Sequence, residues 1–191
     1  MMMRRTLATA MVLALFLGLV TLSALALFTD SASVPANTFT TGTVDITTSP
    51  TTALVTFSAM APGDQVTAPI TVTNAGTMQL RYAVTSTTTE NVLAAALDLT
   101  VKSGVTTCTN AGFGVDGTVV YATGDLGNTT AINIIGDPAQ GSQAGDRTLN
   151  ASANEVLCFN VSLPSGTGNA SQGLTTTATF NFQAEQTSNN P

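Results

Sequence analysis

Histidine and tryptophan are both missing from the 191-residue chain, and lysine occurs once, at Lys102. Without histidine there can be no Ser-His-Asp or Cys-His catalytic arrangement and no His-Glu-x-x-His zinc site. A serine–lysine dyad would have to use Lys102, whose neighbour Ser103 simply precedes Gly104 in an ordinary turn pattern. Two cysteines alone cannot build a tetrahedral zinc site. The lack of tryptophan also removes the Cys…Trp…Cys signature of antibody-type domains.

Positive charge is scarce too. Arg4 and Arg5 lie at the N-terminus, and past Ala26 only Arg81, Lys102 and Arg147 remain against all eleven acids, a net charge of −8. Such a chain cannot neutralise phosphates, which excludes nucleic acid as a partner. Nor does it carry a basic patch for anionic lipid. Although charges are few and Thr, Ser, Asn and Gly abound, 43% apolar residues point to a folded domain and not to disorder.

What is present begins with a leader. Arg4-Arg5 precede an uncharged run from Thr6 to Thr29, long enough to span a bilayer as a helix. Ala24-Leu25-Ala26 places small residues at the two positions a signal peptidase inspects, and no cationic stop-transfer cluster follows Phe28. Cleavage between Ala26 and Leu27 is therefore favoured over an intact anchor. The expected organisation is a signal peptide at 1–26, an N-terminal segment at 27–36 and a single domain at 37–191.

The exported part reads as all-β, with Thr, Val and Ile in short runs punctuated by Gly, Pro and Asn. Expected strands include Val44–Ile46, Ala53–Met60, Gln65–Thr73, Leu80–Thr87, Leu97–Val101, Gly117–Ala122, Ile132–Ile135, Leu157–Leu163 and Ala178–Glu185. Pro69 cannot donate to a ladder, which assigns Gln65–Thr73 to a sheet edge. Asn91–Leu97 is the one helical stretch. One apolar face per strand implies two sheets packed face to face, a jelly-roll-like β-sandwich of about eight to ten strands with one short helix.

Cys108 and Cys158 both lie in the exported part, where one disulfide is expected in preference to two separate buried thiols. Cys158 falls on the strand face opposite Phe159, so the bridge should lie on the outer side or edge of a sheet. Asp116, Asp125, Asp137 and Asp146 each adjoin a glycine. Calcium favours such oxygen-rich loops, but Asp beside Gly is ordinary turn chemistry and no dense Asp-x-Asp-x-Asp run occurs. No metal, cofactor or catalytic residue is assigned. Four Asn-x-Ser/Thr sequons, at Asn128, Asn150, Asn160 and Asn169, decide nothing in a chain so rich in Thr and Ser.

Phe28-Thr29-Asp30 followed by Asn37 to Ile46, "NTFTTGTVDI", resembles the start of the TasA/camelysin family, whose leaders are removed by a dedicated SipW-type signal peptidase. Met60-Ala61-Pro62-Gly63-Asp64 leading into Ile70 to Gly76, "ITVTNAG", is similar to a second family block, and Phe180 to Asn189 is similar to its closing strand. The middle, from about Gly104 to Leu149, carries no such resemblance. The resemblance implies a secreted jelly-roll subunit that assembles with itself into extracellular fibres of a prokaryotic biofilm matrix or cell surface. It also brings a metalloprotease label, which a chain without histidine does not support. The expected partners are further copies of the chain, and a signal peptidase during export. Contact with a membrane is expected only through the leader.

Within Leu27–Ala36, the residues Phe28, Ala32, Val34 and Ala36 share one parity and Leu27, Thr29, Ser31, Ser33 and Pro35 the other, with Asp30 the polar exception on the apolar face. Such a segment has the pattern of a donor strand that completes a neighbouring sheet. Pairing within its own domain, or a frayed terminus, is the competing reading. A monomeric surface adhesin or carbohydrate-binding sandwich is the alternative function.

Overall fold

The computed structural model describes residues 38, 40–52 and 60–190, and the chain from Thr41 onward forms one compact unit. The described residues contain nine strands: β1 (Ile46–Ser49), β2 (Gln65–Asn74), β3 (Leu80–Thr88), β4 (Asp98–Ser103), β5 (Thr118–Asp125), β6 (Ile132–Ile135), β7 (Arg147–Leu149), β8 (Asn154–Ser162) and β9 (Ala178–Gln186). A short helix, α1 (Val92–Ala96), joins β3 to β4, and a single 3-10 turn spans Asn169–Ser171. One sheet has the order β1-β2-β8-β4-β5. In the other, β9 flanks β3 along its whole length, while β6 and β7 lie in line on its far side. All strand pairs are antiparallel. The chain changes sheet at β2–β3, β3–β4, β5–β6, β7–β8 and β8–β9, which is the winding of a jelly-roll-like sandwich.

The alternating strands face as their pattern requires. Ile70 and Val72 of β2, Leu99 and Val101 of β4, and Leu157 and Phe159 of β8 are buried against Leu80, Tyr82 and Val84 of β3. β3 differs from its neighbours because its other face is buried as well, at Arg81, Ala83 and Thr85. There the loop 136–146, which interrupts the β6–β7 row, lies against the outer face, and the Gly141 N–H donates to Glu185 Oε1 at 3.0 Å.

Polar groups at the turns tie the two sheets together. Asn74, at the end of β2 and fully buried, donates through Nδ2 to the carbonyls of Met78 (2.8 Å), Leu149 (3.1 Å) and Asn150 (3.0 Å), while its Oδ1 accepts from Gly76 N–H. A side chain on Gly76 would meet the Thr43 carbonyl at 2.4 Å, which explains a glycine two residues past the asparagine. In the turn before β2, Gly63 adopts φ +99°, a region that favours glycine, and Asp64 Oδ2 accepts from Ala61 N–H at 2.8 Å. The same turn exchanges backbone hydrogen bonds with Leu163 beyond β8.

Several expectations are adjusted. The first strand begins at Ile46, with Val44 outside it. Ala53–Ala59 lies outside the described residues, and Met60 belongs to no strand. β2 is not an edge strand throughout: β8 pairs with one side of it from Gln65 to Thr73, and β1 covers the other at Thr71–Asn74. Pro69 sits before the β1-paired part, so only Gln65–Ile70 keeps an edge-like side among the described residues. β7 and the 3-10 turn were not anticipated.

Candidate functional site: an apolar groove beside strand β9

Where β9 faces β2, the two sheets part and leave a groove of about 680 Å³. Val66, Ile70, Val161 and Leu163 form the wall on one sheet, and Phe180 and Phe182 form the wall on the other. Leu93 and Leu97 close the end beneath α1, and Thr175–Thr177 form part of the rim. The phenylalanines are only half-buried, although Phe180 stacks against the core Phe159 with ring centroids 4.9 Å apart.

Registers place this groove along the sandwich. Gln65, Ser162, Asp98 and Asp125 are paired across one end, which α1 caps and may be called the upper end. The β2–β3 turn and the β7–β8 turn mark the lower end. The groove runs from the upper end to about the middle, where Phe182 pairs with Val84. The compact unit begins at the opposite end. Thr43 exchanges hydrogen bonds with Thr77 in the β2–β3 turn (N to Oγ1, 2.9 Å; Thr77 N to Thr43 O, 3.1 Å), and Ala75 N donates to Asp45 O at 2.8 Å.

The strand edges are unequal. β1 is four residues long and is followed by Pro50. β5 carries two register shifts against β4. The β6–β7 row is broken by the loop 136–146. Bulges, short length and interruption all blunt an edge against pairing with another chain. Among the described residues, β9 shows none of these protections. It pairs with β3 in unbroken register from Leu80↔Gln186 to Thr88↔Ala178, contains no proline and no lysine, and has no second partner among the described residues.

The three cations among the described residues are used internally. Arg147 on β7 is held by Glu155 on β8 (Nε to Oε1 and Oε2, both 2.9 Å), and the Tyr82 hydroxyl donates to the same carboxylate at 2.7 Å. Burial, then Glu155, pushes the Tyr82 hydroxyl far above its usual range, while the hydrogen bond that Arg147 donates to Glu155 raises Arg147. Arg81 donates to Glu185 at 2.6 Å and to the Asn190 carbonyl. The Arg81 hydrogen bond holds the Glu185 carboxyl below its usual value. Lys102 donates to the Phe113 carbonyl at 2.7 Å and lies 4.7 Å from the Phe113 ring.

Cys108 and Cys158 are joined in a disulfide that fastens the loop between β4 and β5 over the outer face of β8, opposite Phe159. Three of the four loop aspartates bind backbone N–H groups within their own loops: Asp116 accepts from Thr106 N–H, Asp137 from Ala139 N–H, and Asp146 from Asp137 and Gln143 N–H. Asp125 stands opposite Asp98 across β4 and β5. Among the described residues no three His, Cys, Asp or Glu side chains converge as a metal-ligand group. The sequence-assigned cleavage residues Ala24, Ala26 and Leu27, and the donor-strand residues Phe28, Ala32, Val34 and Ala36, lie outside the described residues. No helix among the described residues is long and apolar enough to cross a membrane.

The family model of the camelysin metallo-endopeptidases matches residues 2–190. The chain belongs to this family. The family's name carries a metallopeptidase activity; this chain has no histidine, and both its cysteines are in a disulfide. The camelysin-family blocks now have physical roles: Pro62-Gly63-Asp64 anchors β2 to Leu163, and Asn74 with Gly76 locks the lower end. No curated protein matches the chain. Among solved structures, the ASH/PapD-like domain 7 of human CEP192 is 16% identical, with 84% of this chain and 96% of that one covered and a TM-score of 0.28. The sporulation control protein Spo0M of Bacillus subtilis is 12% identical, with 78% of this chain and 49% of that one covered and a TM-score of 0.27. Neither score is high enough to carry the topology over.

Proposed function

We propose that this camelysin-family chain is a secreted, non-enzymatic structural subunit whose copies polymerise into extracellular fibres by donor-strand exchange. The observation that supports the reading is the β9 edge, which has no second partner among the described residues and lies beside an apolar groove. An extended segment added to a sheet edge supplies main-chain hydrogen bonds, and pockets for alternate side chains supply register. Repeated head to tail, such a contact does not close and gives a filament.

The geometry also supports a direction. A donor subunit stacked on the upper end would feed its segment into the groove from above, with Ala36 nearest the mouth, Ala32 farthest in, and Phe28 beyond the groove beside Gln186. The segment then runs antiparallel to β9. With Ala36 beside Ala178, Val34 falls beside Phe180 and Ala32 beside Phe182, small side chains against large ones. Asp30 falls beside Ala184, past the last apolar groove residue, which relieves the one polar exception in the pattern.

The same register puts Ser33 beside Asn181 on the outward face, where neither side chain enters the groove. A Ser33→Cys/Asn181→Cys variant of the mature chain should give a ladder of covalent oligomers on a non-reducing gel after mild oxidation. Filaments that form without any intersubunit cross-link would contradict the proposed register and contact.

A further inference from the structure

β2 and β9 each turn one edge toward the groove, and their hydrogen bonds show that the two edges are not equivalent. On β2 the even-numbered residues bond to β8, since Leu163 N donates to Asp64 O and Asn74 N to Ala153 O, both at 2.9 Å, at the two ends of the paired run. Alternation along an antiparallel ladder turns the backbone groups of Gln65, Thr67, Pro69, Thr71 and Thr73 the other way. β1 takes up Thr71 and Thr73. It stands on the groove side of β2, and Pro50, Thr51 and Thr52 just beyond it line the groove. Gln65, Thr67 and Pro69 point their backbone groups to that same side.

Two of these three residues cannot serve an added strand in full. Pro69 has no N–H to give. The Gln65 carbonyl already accepts from Asn110 Nδ2 at 2.8 Å. Asn110 belongs to the loop between β4 and β5, which is fastened over the outer face of the sheet at several points. Cys108 is bonded to Cys158, whose neighbours in register are Pro69 on β2 and Lys102 on β4. Lys102 donates to the Phe113 carbonyl, and Thr106 N–H to the Asp116 carboxylate. β9 shows no such block among the described residues. Thr89 N donates to Thr177 O and Thr187 N to Gln79 O, so its odd-numbered residues bond to β3. Ala178, Phe180, Phe182 and Ala184 therefore each turn an N–H and a carbonyl to the other side.

We infer that Asn110, held in place by the disulfide, acts with Pro69 to close the β2 edge to an added strand, and so makes β9 the one acceptor edge of the groove. This rests on the donor-strand reading above. An added strand draws its affinity from a run of main-chain hydrogen bonds. Of Gln65, Thr67 and Pro69, only Thr67 keeps both its backbone groups for that purpose. With one acceptor edge, each subunit takes one donor and the filament grows as a single line of subunits. A second open edge would let strands of neighbouring filaments pair, and would bundle or branch them. Asn110 is a specificity-determining residue for assembly, acting through the carbonyl it occupies.

Hydrogen exchange in the complete mature chain, as monomer and as filament, separates the two edges. In wild-type filaments the N–H groups of Phe180, Phe182 and Ala184 should exchange roughly tenfold or more slowly than in the monomer, while that of Thr67 keeps its monomer rate. In Asn110→Ala/Pro69→Thr, assembly should slow Thr67 N–H as well, and negative-stain images should show bundled or branched filaments. Asn110→Ala alone, at an exposed position, should show the same change to a smaller degree and serves if Pro69→Thr prevents folding. Slowing at Thr67 in wild-type filaments overturns this inference and leaves strand exchange standing. Folded variants whose exchange and filament shape match the wild type do the same. Failure of the wild type to polymerise, or filaments without slowing at Phe180, Phe182 and Ala184, removes the donor-strand reading and this inference with it.

Discussion

Tyr82 on β3 donates its hydroxyl to Glu155 on β8 at 2.7 Å, so the two sheets meet through a carboxylate that Arg147 also grips. Both charged side chains are largely shielded, 27% exposed for Arg147 and 17% for Glu155. Removing the carboxylate leaves an arginine and a buried phenol without their partner. Glu155→Ala is expected to destabilise the subunit by about 2–3 kcal/mol, at the lower end for breaking a buried pair because some solvent reaches it. Urea denaturation of monomeric protein checks this, and Glu155→Gln should recover part of the loss.

Asn74 carries more hydrogen bonds than any neighbouring side chain and has no access to solvent. Asn74→Leu should cost about 2–4 kcal/mol, since it strands three carbonyls and an N–H at the lower end. Gly76→Ala should act through the same place for a steric reason, pushing the Thr43 carbonyl aside. Hydrogen exchange at Thr77, whose N–H is held by Thr43, should speed up in both variants.

Acid should weaken the upper end through Glu90. Burial opposes ionisation of its carboxyl, but the N–H groups of Leu93, Ala94 and Val92 outweigh that and lower its pKa from 4.5. With the folded value below the unfolded one, the stabilisation is complete above about pH 4.5 and is lost as pH falls through the folded pKa. Glu90→Gln should therefore flatten the stability–pH curve in that acid window and reduce stability at pH 7. A curve with unchanged slope would show that the cap contributes nothing.

The Cys108–Cys158 bridge closes a separation of 50 residues. On the chain-entropy model, reduction should lower stability by roughly 4 kcal/mol. Alkylation of unreduced protein followed by intact-mass measurement should find no modified cysteine. The groove and β9 lie away from the bridge, so a reduced protein that remains folded should still polymerise.

Much of this architecture was legible in the sequence where one face of a strand is apolar and the other polar. Ala178–Gln186, Asn154–Ser162 and Gln65–Asn74 show that alternation, and Ile132–Ile135 emerged with its expected ends. The disulfide followed from the count of cysteines and the exported setting. Other features left no local trace. Arg147–Leu149 is too short for a period and is a strand only because it continues the β6 row after an eleven-residue loop. Arg81 reads as a surface residue, since nothing near it in sequence announces the loop 136–146 that covers it. Pro69 pointed to an edge, and β1 covers that side of β2 at Thr71–Asn74, while Gln65–Ile70 has no partner there among the described residues. The groove itself could not be read, because its walls come from β2, β8 and β9, which are far apart in sequence.

The most direct test of the central claim is deletion of Leu27–Ala36 from the mature protein, followed by sedimentation and negative-stain microscopy beside the intact mature chain. The account predicts that the intact chain forms filaments, while the truncated chain has a native thermal transition and sediments as a monomer at every concentration tested. Filaments formed by the folded, truncated protein would contradict it.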